Sequence, residues 1–211
     1  MQWSVSCSQS SSHRQPSQST VSAVMLNPNW PKNQAMDESC WSDNDYCRRT
    51  ENWYALAKTE AEVLALEYGK TRALNVVTVC PSFIVGPLLQ SKMNATSGFL
   101  LKMVKDGLEK LENKVRPFVD VRDTAEALLL VYKKPEAEGR YICSSFTLRF
   151  ESLVNKLKSI YPNYNYPKQI VEGEADWDIT SAKLVQLGWK HRSSEETLVD
   201  SIQSYQERGH L

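Results

Sequence analysis

The chain has 211 residues, 41% of them hydrophobic, with 25 basic and 25 acidic side chains and a formal net charge of zero. That length suits one domain, or one and a fraction; the balanced charge offers nothing to nucleic acid or an anionic membrane surface, and no apolar stretch approaches the roughly 18 residues that span a bilayer. Five cysteines without a C-x-x-C, and three widely spaced histidines (His13, His191, His210), indicate neither a disulfide framework nor a metal site and suit a reducing cytoplasm.

Met1 to Ser19 is rich in Ser and Gln, has no acidic residue and shows no sustained period, so residues 1–19 read as a disordered leader. Its one strongly basic residue, Arg14, is thin for a transit peptide. Order is expected from Val21 to Leu26, before the breakers Asn27-Pro28-Asn29-Trp30-Pro31. Asp37 to Arg49 reads as a polar loop. A long helix over Glu51–Lys70 places Leu56, Val63, Leu64 and Leu66, with the small Ala57 and Ala61, on an apolar face. Val76–Cys80 is an almost unbroken apolar run, the pattern of a parallel-sheet strand buried on both faces. Pro81 is expected to end it, and Gly86-Pro87 to turn the chain. Helix is expected over Ser97–Leu108 and strand over Pro117–Val121. Asp123 or Thr124 would cap a helix over Ala125–Lys133. A strand over Arg140–Cys143 and helices over Glu151–Ile160, Ser181–Leu187 and Glu195–Glu207 complete the order. Strands alternating with helices give an α/β class.

Several residues have plain structural readings. Lys110, Lys114 and Arg116 read as a solvated face. Asp120 and Asp123 read as a turn and a helix cap rather than an acid/base pair. Cys80 and Cys143 read as small buried hydrophobes, and Trp41 and Trp53 as packing residues.

One pairing points to chemistry. Tyr54 and Lys58, in Asn52-Trp53-Tyr54-Ala55-Leu56-Ala57-Lys58, are four apart and share a helix face. An ammonium there makes a phenol a usable proton donor or acceptor. Upstream, Thr20 or Ser22 offers a hydroxyl to a substrate oxygen.

These residues occur in order with Asp37-Glu38-Ser39-Cys40-Trp41-Ser42-Asp43, Pro81 through Gly86-Pro87-Leu88-Leu89, Phe118-Val119-Asp120-Val121-Arg122-Asp123 and Arg140-Tyr141-Ile142-Cys143. In this combination the chain, from about Thr20 onward, resembles the extended short-chain dehydrogenase/reductases. Within them it is similar to the plant cinnamoyl-CoA reductase and dihydroflavonol reductase group. The resemblance implies a Rossmann-like, NADP-dependent oxidoreductase of carbonyl or alcohol carbons. Tyr54 would be its acid/base, and Lys58 would assist Tyr54 and bind the nicotinamide ribose. Thr20 would be its catalytic hydroxyl. Pro81, Ser82, Phe83 and Ile84 would line the nicotinamide, and Thr96 would reach a cofactor phosphate. Its substrate would be a small-molecule carbonyl or a CoA ester. Lys102 is what remains of a His-and-Lys grip on coenzyme A, since Phe99 holds the His position. Ala55-Leu56-Ala57 stands where cinnamoyl-CoA reductases carry Cys-Tyr-Gly.

No G-x-G-x-x-G or G-x-x-G-x-x-G occurs among the eight glycines, although the family receives the pyrophosphate on such a turn. Residues 20–211 are therefore expected to be the C-terminal part of the domain. That part would lack the N-terminal βαβ units and include a small substrate-binding portion. The polar residues before Thr20, with Pro16, oppose a central strand. Two alternatives stand beside the reductase: a non-catalytic truncated isoform, unstable or acting through a full-length paralogue, and a sugar-nucleotide epimerase or dehydratase.

Overall fold

The computed structural model describes residues 14–173 and 178–211. Its elements in chain order are β1 (Arg14–Gln18), a 3-10 turn (Val21–Ala23), α1 (Asn44–Arg49), α2 (Trp53–Thr71), β2 (Asn75–Pro81), β3 (Phe83–Val85), α3 (Ala95–Lys105), β4 (Lys110–Asn113), β5 (Val115–Asp120), α4 (Val121–Lys133), β6 (Gly139–Cys143), β7 (Phe146–Arg149), α5 (Phe150–Ile160), β8 (Gln169–Glu172), α6 (Ala182–Gln186) and α7 (Ser194–Glu207). The main sheet is parallel, in the order β1-β2-β6. A second sheet runs β3-β5-β7, with β3 parallel and β7 antiparallel to β5, and β4 pairs with β8. This is the expected α/β class.

β2 is the middle strand, and its apolar run is buried as its composition requires. Val77 and Val79 pack with Val119, Ala127, Val131 and Tyr141. Cys80 belongs to a separate cluster with Ile142, Val21, Val24, Met36 and Cys40. The strand's period of two thus feeds two cores. A third core joins α3, α5 and α7 through Leu100, Met103, Leu153, Leu157, Leu198, Ile202 and Tyr205. Among the described residues no helix is long and apolar enough to cross a membrane.

β1 corrects the expectation of disorder up to Ser19 for the part that is described; residues 1–13 lie outside it. Among the described strands β1 takes the edge position, which tolerates polar residues. Ser19 N–H donates to Val79 O at 2.8 Å. In a parallel ladder this turns the backbones of Gln15, Ser17 and Ser19 toward β2. Pro16 then points its missing N–H at the outer edge, where no bond of this ladder is lost. Arg14 adds donors to the carbonyls of Lys134 and Pro135, where the C-terminal end of α4 favours a cation.

Pro81 ends β2 as expected, being its last residue and partnered by Cys143, and the chain passes through Ser82 into β3. Other boundaries differ for local reasons. α1 arises inside the expected polar loop because Asp43 caps it, accepting from Tyr46 N–H at 2.6 Å. The cap of α4 is Asp120, not Asp123 or Thr124: its Oδ1 accepts from Arg122 N–H at 2.8 Å. Asp123 lies in the first turn, buried and paired with Arg192. Gly86 is required beside that cap. Its φ is +108°, and a Cβ there would stand 3.0 Å from an Asp120 carboxylate oxygen.

Candidate active site

Two clefts meet beyond the C-terminal ends of β1 and β2, where open α/β sheets take ligands. The larger, about 780 Å³, gathers Thr20 and Ser22 from the 3-10 turn, Tyr54 and Lys58 from α2, Pro81–Ile84, and Asn94–Thr96 at the start of α3. The structure therefore brings together every site residue expected from sequence except Lys102. That side chain is exposed on the last turn of α3, away from both clefts.

Each member is placed by a local device. Thr20 caps the 3-10 turn, its Oγ1 accepting from Ser22 N–H at 3.4 Å. The turn is tied down by Ser42, whose hydroxyl donates to Ser22 O at 2.8 Å and accepts from Leu26 N–H at 2.9 Å. α2 starts where Asn52 Oδ1 accepts from Ala55 N–H at 3.2 Å. In the first turn Tyr54 is 59% exposed, and the Lys58 ammonium lies 5.9 Å from its ring centroid. Thr96 spends its hydroxyl proton within the protein, on Ile84 O at 2.5 Å or Asn94 Oδ1 at 2.9 Å. Trp53 is exposed rather than packed.

Behind the cleft lies a buried hub that sequence reading missed. Glu62, one turn beyond Lys58, is fully buried. It accepts from Ser19 Oγ at 2.7 Å, Thr78 Oγ1 at 2.6 Å and Arg140 Nε at 2.9 Å. Arg140 also donates to the carbonyls of Cys40 (2.7 Å), Glu38 (3.0 Å) and Ala23 (3.3 Å), and lies over the Trp41 ring at 3.4 Å. Burial alone pushes the Glu62 carboxyl up, but the Arg140 guanidinium and the two hydroxyls hold it below the usual carboxylate range. The hub thus joins Ser19, the residue just after β1, to β2, β6, α2 and the 38–41 loop at the base of the site. Its signal was present: an arginine inside a strand that must be buried needs a carboxylate partner.

The second cleft, about 300 Å³, shares Val21, Ser22 and Phe83 with the first. Met25, Leu26 and Pro117 extend its apolar wall, and Tyr46, Asn52, Lys114 and Arg116 supply polar groups. This corrects the expectation of a solvated face. Lys110 is exposed, but Lys114 and Arg116 are half-buried and line a cavity. The turn from β4 into β5 places Lys114 there, and β5 itself carries Arg116.

The cleft residues fit one end of a nicotinamide dinucleotide. Ser82 lines the larger cleft, and its buried Oγ has no hydrogen-bond partner among the described residues, an unsatisfied group that a ligand amide or hydroxyl would satisfy. Among the described residues no group of three or more His, Cys, Asp or Glu side chains is arranged to hold a metal ion.

Comparison with known proteins agrees with this geometry. The profile of the NAD dependent epimerase/dehydratase family matches residues 28–143. Cinnamoyl-CoA reductase 1 of Petunia hybrida is 34% identical over 197 residues, covering 92% of this chain and 59% of that protein. Tetraketide alpha-pyrone reductase 1 of Arabidopsis thaliana is 34% identical over 195 residues, covering 92% and 60%. The crystal structure of vestitone reductase from alfalfa (Medicago sativa L.) aligns with a TM-score of 0.80 at 30% identity, covering 94% of this chain and 66% of that one. The chain thus spans about 59–60% of the length of these curated relatives. With its matched profile, its parallel sheet and a cleft at that sheet's C-terminal edge, the chain belongs to the NAD dependent epimerase/dehydratase family.

Proposed function

We propose that this chain carries the catalytic and nicotinamide-side portion of an NADP-dependent reductase that interconverts a carbonyl and an alcohol. The observation behind this is the single cleft in which a hydroxyl, a phenol and an ammonium meet a wall carrying an unsatisfied Ser82 Oγ. When bound, the nicotinamide cofactor supplies or accepts the hydride. Tyr54 gives its phenolic proton to the carbonyl oxygen during reduction and takes one back during oxidation. Lys58 steadies negative charge on the Tyr54 oxygen and donates to a ribose hydroxyl. Thr20, with Ser22 beside it, holds the substrate oxygen by hydrogen bonding. Pro81, Ser82, Phe83 and Ile84 form the wall against the nicotinamide. With the Thr96 hydroxyl proton already engaged, the residues that would hold a cofactor phosphate here are those opening α3, through their backbone N–H groups. Lys102 would meet only a long substrate such as a CoA ester. We infer NADP rather than NAD from the family resemblance alone, and a reducing cytoplasm suits the four free thiols Cys40, Cys47, Cys80 and Cys143.

Calorimetric titration of the folded chain with NADPH and with NADH tests this. Micromolar NADPH binding, followed by reduction of aldehydes or CoA esters, supports the reading. No binding by a well-folded sample overturns it, and the chain is then a non-catalytic member that acts through a partner such as a full-length paralogue. Turnover of a nucleotide sugar without net redox change would instead favour an epimerase or dehydratase.

A further inference from the structure

We infer that α7, none of whose residues lines either cleft, tunes the affinity for the nicotinamide cofactor: Ser201, Ser204 and Arg208 are positioning residues that clamp the segment joining two walls of the larger cleft. The inference rests on the reductase reading, which puts a nicotinamide against Pro81–Ile84.

The larger cleft takes Pro81–Ile84 from before this segment and Asn94–Thr96 from after it. Between them, Gly86–Gln90 leaves the cleft and lines a separate cavity of about 290 Å³. With that space beside it, packing alone does not fix the path of the segment, although Leu88 is buried in the core that α7 shares. The segment belongs to no helix or strand, so its backbone groups need partners from elsewhere. The α7 end supplies them from one face, at i, i+3 and i+7. Ser201 Oγ accepts from Gly86 N–H at 2.8 Å and donates to Thr197 O at 2.6 Å. Ser204 Oγ accepts from Leu88 N–H at 2.9 Å. Arg208, the C-cap of α7, donates to Leu88 O at 2.6 Å and to Gln90 O at 3.0 Å. Both serine contacts are buried, where an unpaired N–H is costly. The clamp thus grips every second residue of the segment. Thr96 Oγ1, 2.5 Å from Ile84 O, ties the two walls together from the cleft side. A nicotinamide half needs both walls in place. When the clamp is loosened, the competent fraction falls and the apparent dissociation constant rises in proportion. The 3-10 turn carrying Ser22 is held separately, by Ser42.

The test compares the full chain with Ser204→Ala, Arg208→Ala and a control, Ser193→Ala. Arg208 is exposed, so its variant leaves the core intact. Ser193 caps the opposite end of α7, accepting from Glu196 N–H at 3.1 Å, so its loss weakens the helix without touching the clamp. Amide hydrogen exchange is followed without cofactor, and NADPH affinity by calorimetry. In both clamp variants the Leu88 and Ser97 amides should exchange about five- to tenfold faster, the equivalent of roughly one hydrogen bond, with the amides of β2 unchanged. NADPH should bind about fivefold more weakly in both, as the competent fraction falls. Ser193→Ala should lower the unfolding midpoint and leave NADPH affinity where it was. A merely structural clamp would speed exchange without moving NADPH affinity, or would weaken NADPH equally in Ser193→Ala. Either result overturns the inference, as does unchanged exchange at Leu88 or Ser97. The two readings fail separately. A well-folded wild-type chain that binds no NADPH overturns the reductase reading and this inference with it. NADPH binding by the wild type, undiminished in both clamp variants, overturns the inference alone.

Discussion

Tyr54, Lys58 and Glu62 follow one another at four-residue steps along one face of α2, yet the two ends of that stripe live in different physical worlds. Tyr54 is 59% exposed and looks into a cleft. Glu62 is buried and receives hydrogen bonds from Ser19 just beyond β1, from Thr78 of β2 and from Arg140 of β6. A buried ion must be satisfied by the protein itself and so becomes part of the framework. A polar group left open to a cleft remains available to a ligand. Position on the helix therefore does not assign a role; the partners do.

Substitutions can break that contrast from either end. The largest stability effect is expected from Arg140→Ala, which leaves Glu62 buried without its cation and should cost about 3–5 kcal/mol in denaturant unfolding. A loss below about 1 kcal/mol would mean that the hub is not a framework element. Tyr54→Phe should behave oppositely. NADPH-dependent turnover should fall on the order of a hundredfold or more, with the unfolding midpoint unmoved. A comparable loss of stability would sink the assignment of Tyr54 to chemistry.

Acid offers a subtler probe. Glu62 and Asp120 are both held below the usual carboxylate range. In each, burial pushes the carboxyl up and is outweighed, by Arg140 and its neighbouring hydroxyls at Glu62 and by the Arg122 side chain and N–H at Asp120. Their stabilisation is complete above the unfolded carboxylate values, about 4, and is lost as pH falls through the lower folded values. Unfolding free energy should therefore drop on the acid side, and Glu62→Gln should flatten that drop. An unchanged acid limb in the variant would mean that Glu62 is not held in its charged form by the hub. At the start of α2, Asn52→Ala should cost about 1 kcal/mol through its lost cap. Asp45→Ala removes an exposed i,i+3 pair with Arg48 and should cost under about 0.5 kcal/mol.

The larger elements were legible because burial imposes a pattern on long segments. The Val76–Cys80 run declared itself by continuous apolarity. The expected apolar face of α2 did not: Ala55, Leu56, Thr59, Glu62 and Gly69 face inward, whereas Leu64 is 64% exposed and Ala57 and Ala61 are exposed, because this helix buries a polar hub along with its apolar contacts. The position of the helix was legible, its face was not. The Tyr54–Lys58 spacing was legible too, because side chains four apart on a helix must be neighbours. What stayed hidden was non-local. Polar β1 carries no hydrophobic signal, since Pro16 and its neighbours are tolerated only by an edge that a sequence does not display. β3, β4, β7 and β8 are three or four residues long, shorter than any period can be read. Arg116 looked like one of several surface cations. Its place in a cavity depends on Val21 and Phe83 arriving from elsewhere in the chain.

Burial of the thiols has a consequence for watching this protein move. Cys40, Cys47, Cys80 and Cys143 are all buried, and that burial pushes each thiol up, Cys40 to about 11. With so little thiolate and no access, each can be alkylated only from a conformation that has opened around it. Once Cys7, which lies outside the described residues, is replaced by serine, labelling rates become four clocks placed at known depths. Cys40 and Cys80 share one cluster and should tick together if that core opens as a unit. Cys47 packs with Ala55 and Leu56 beneath the first turns of α2, and so keeps time for the segment that carries Tyr54.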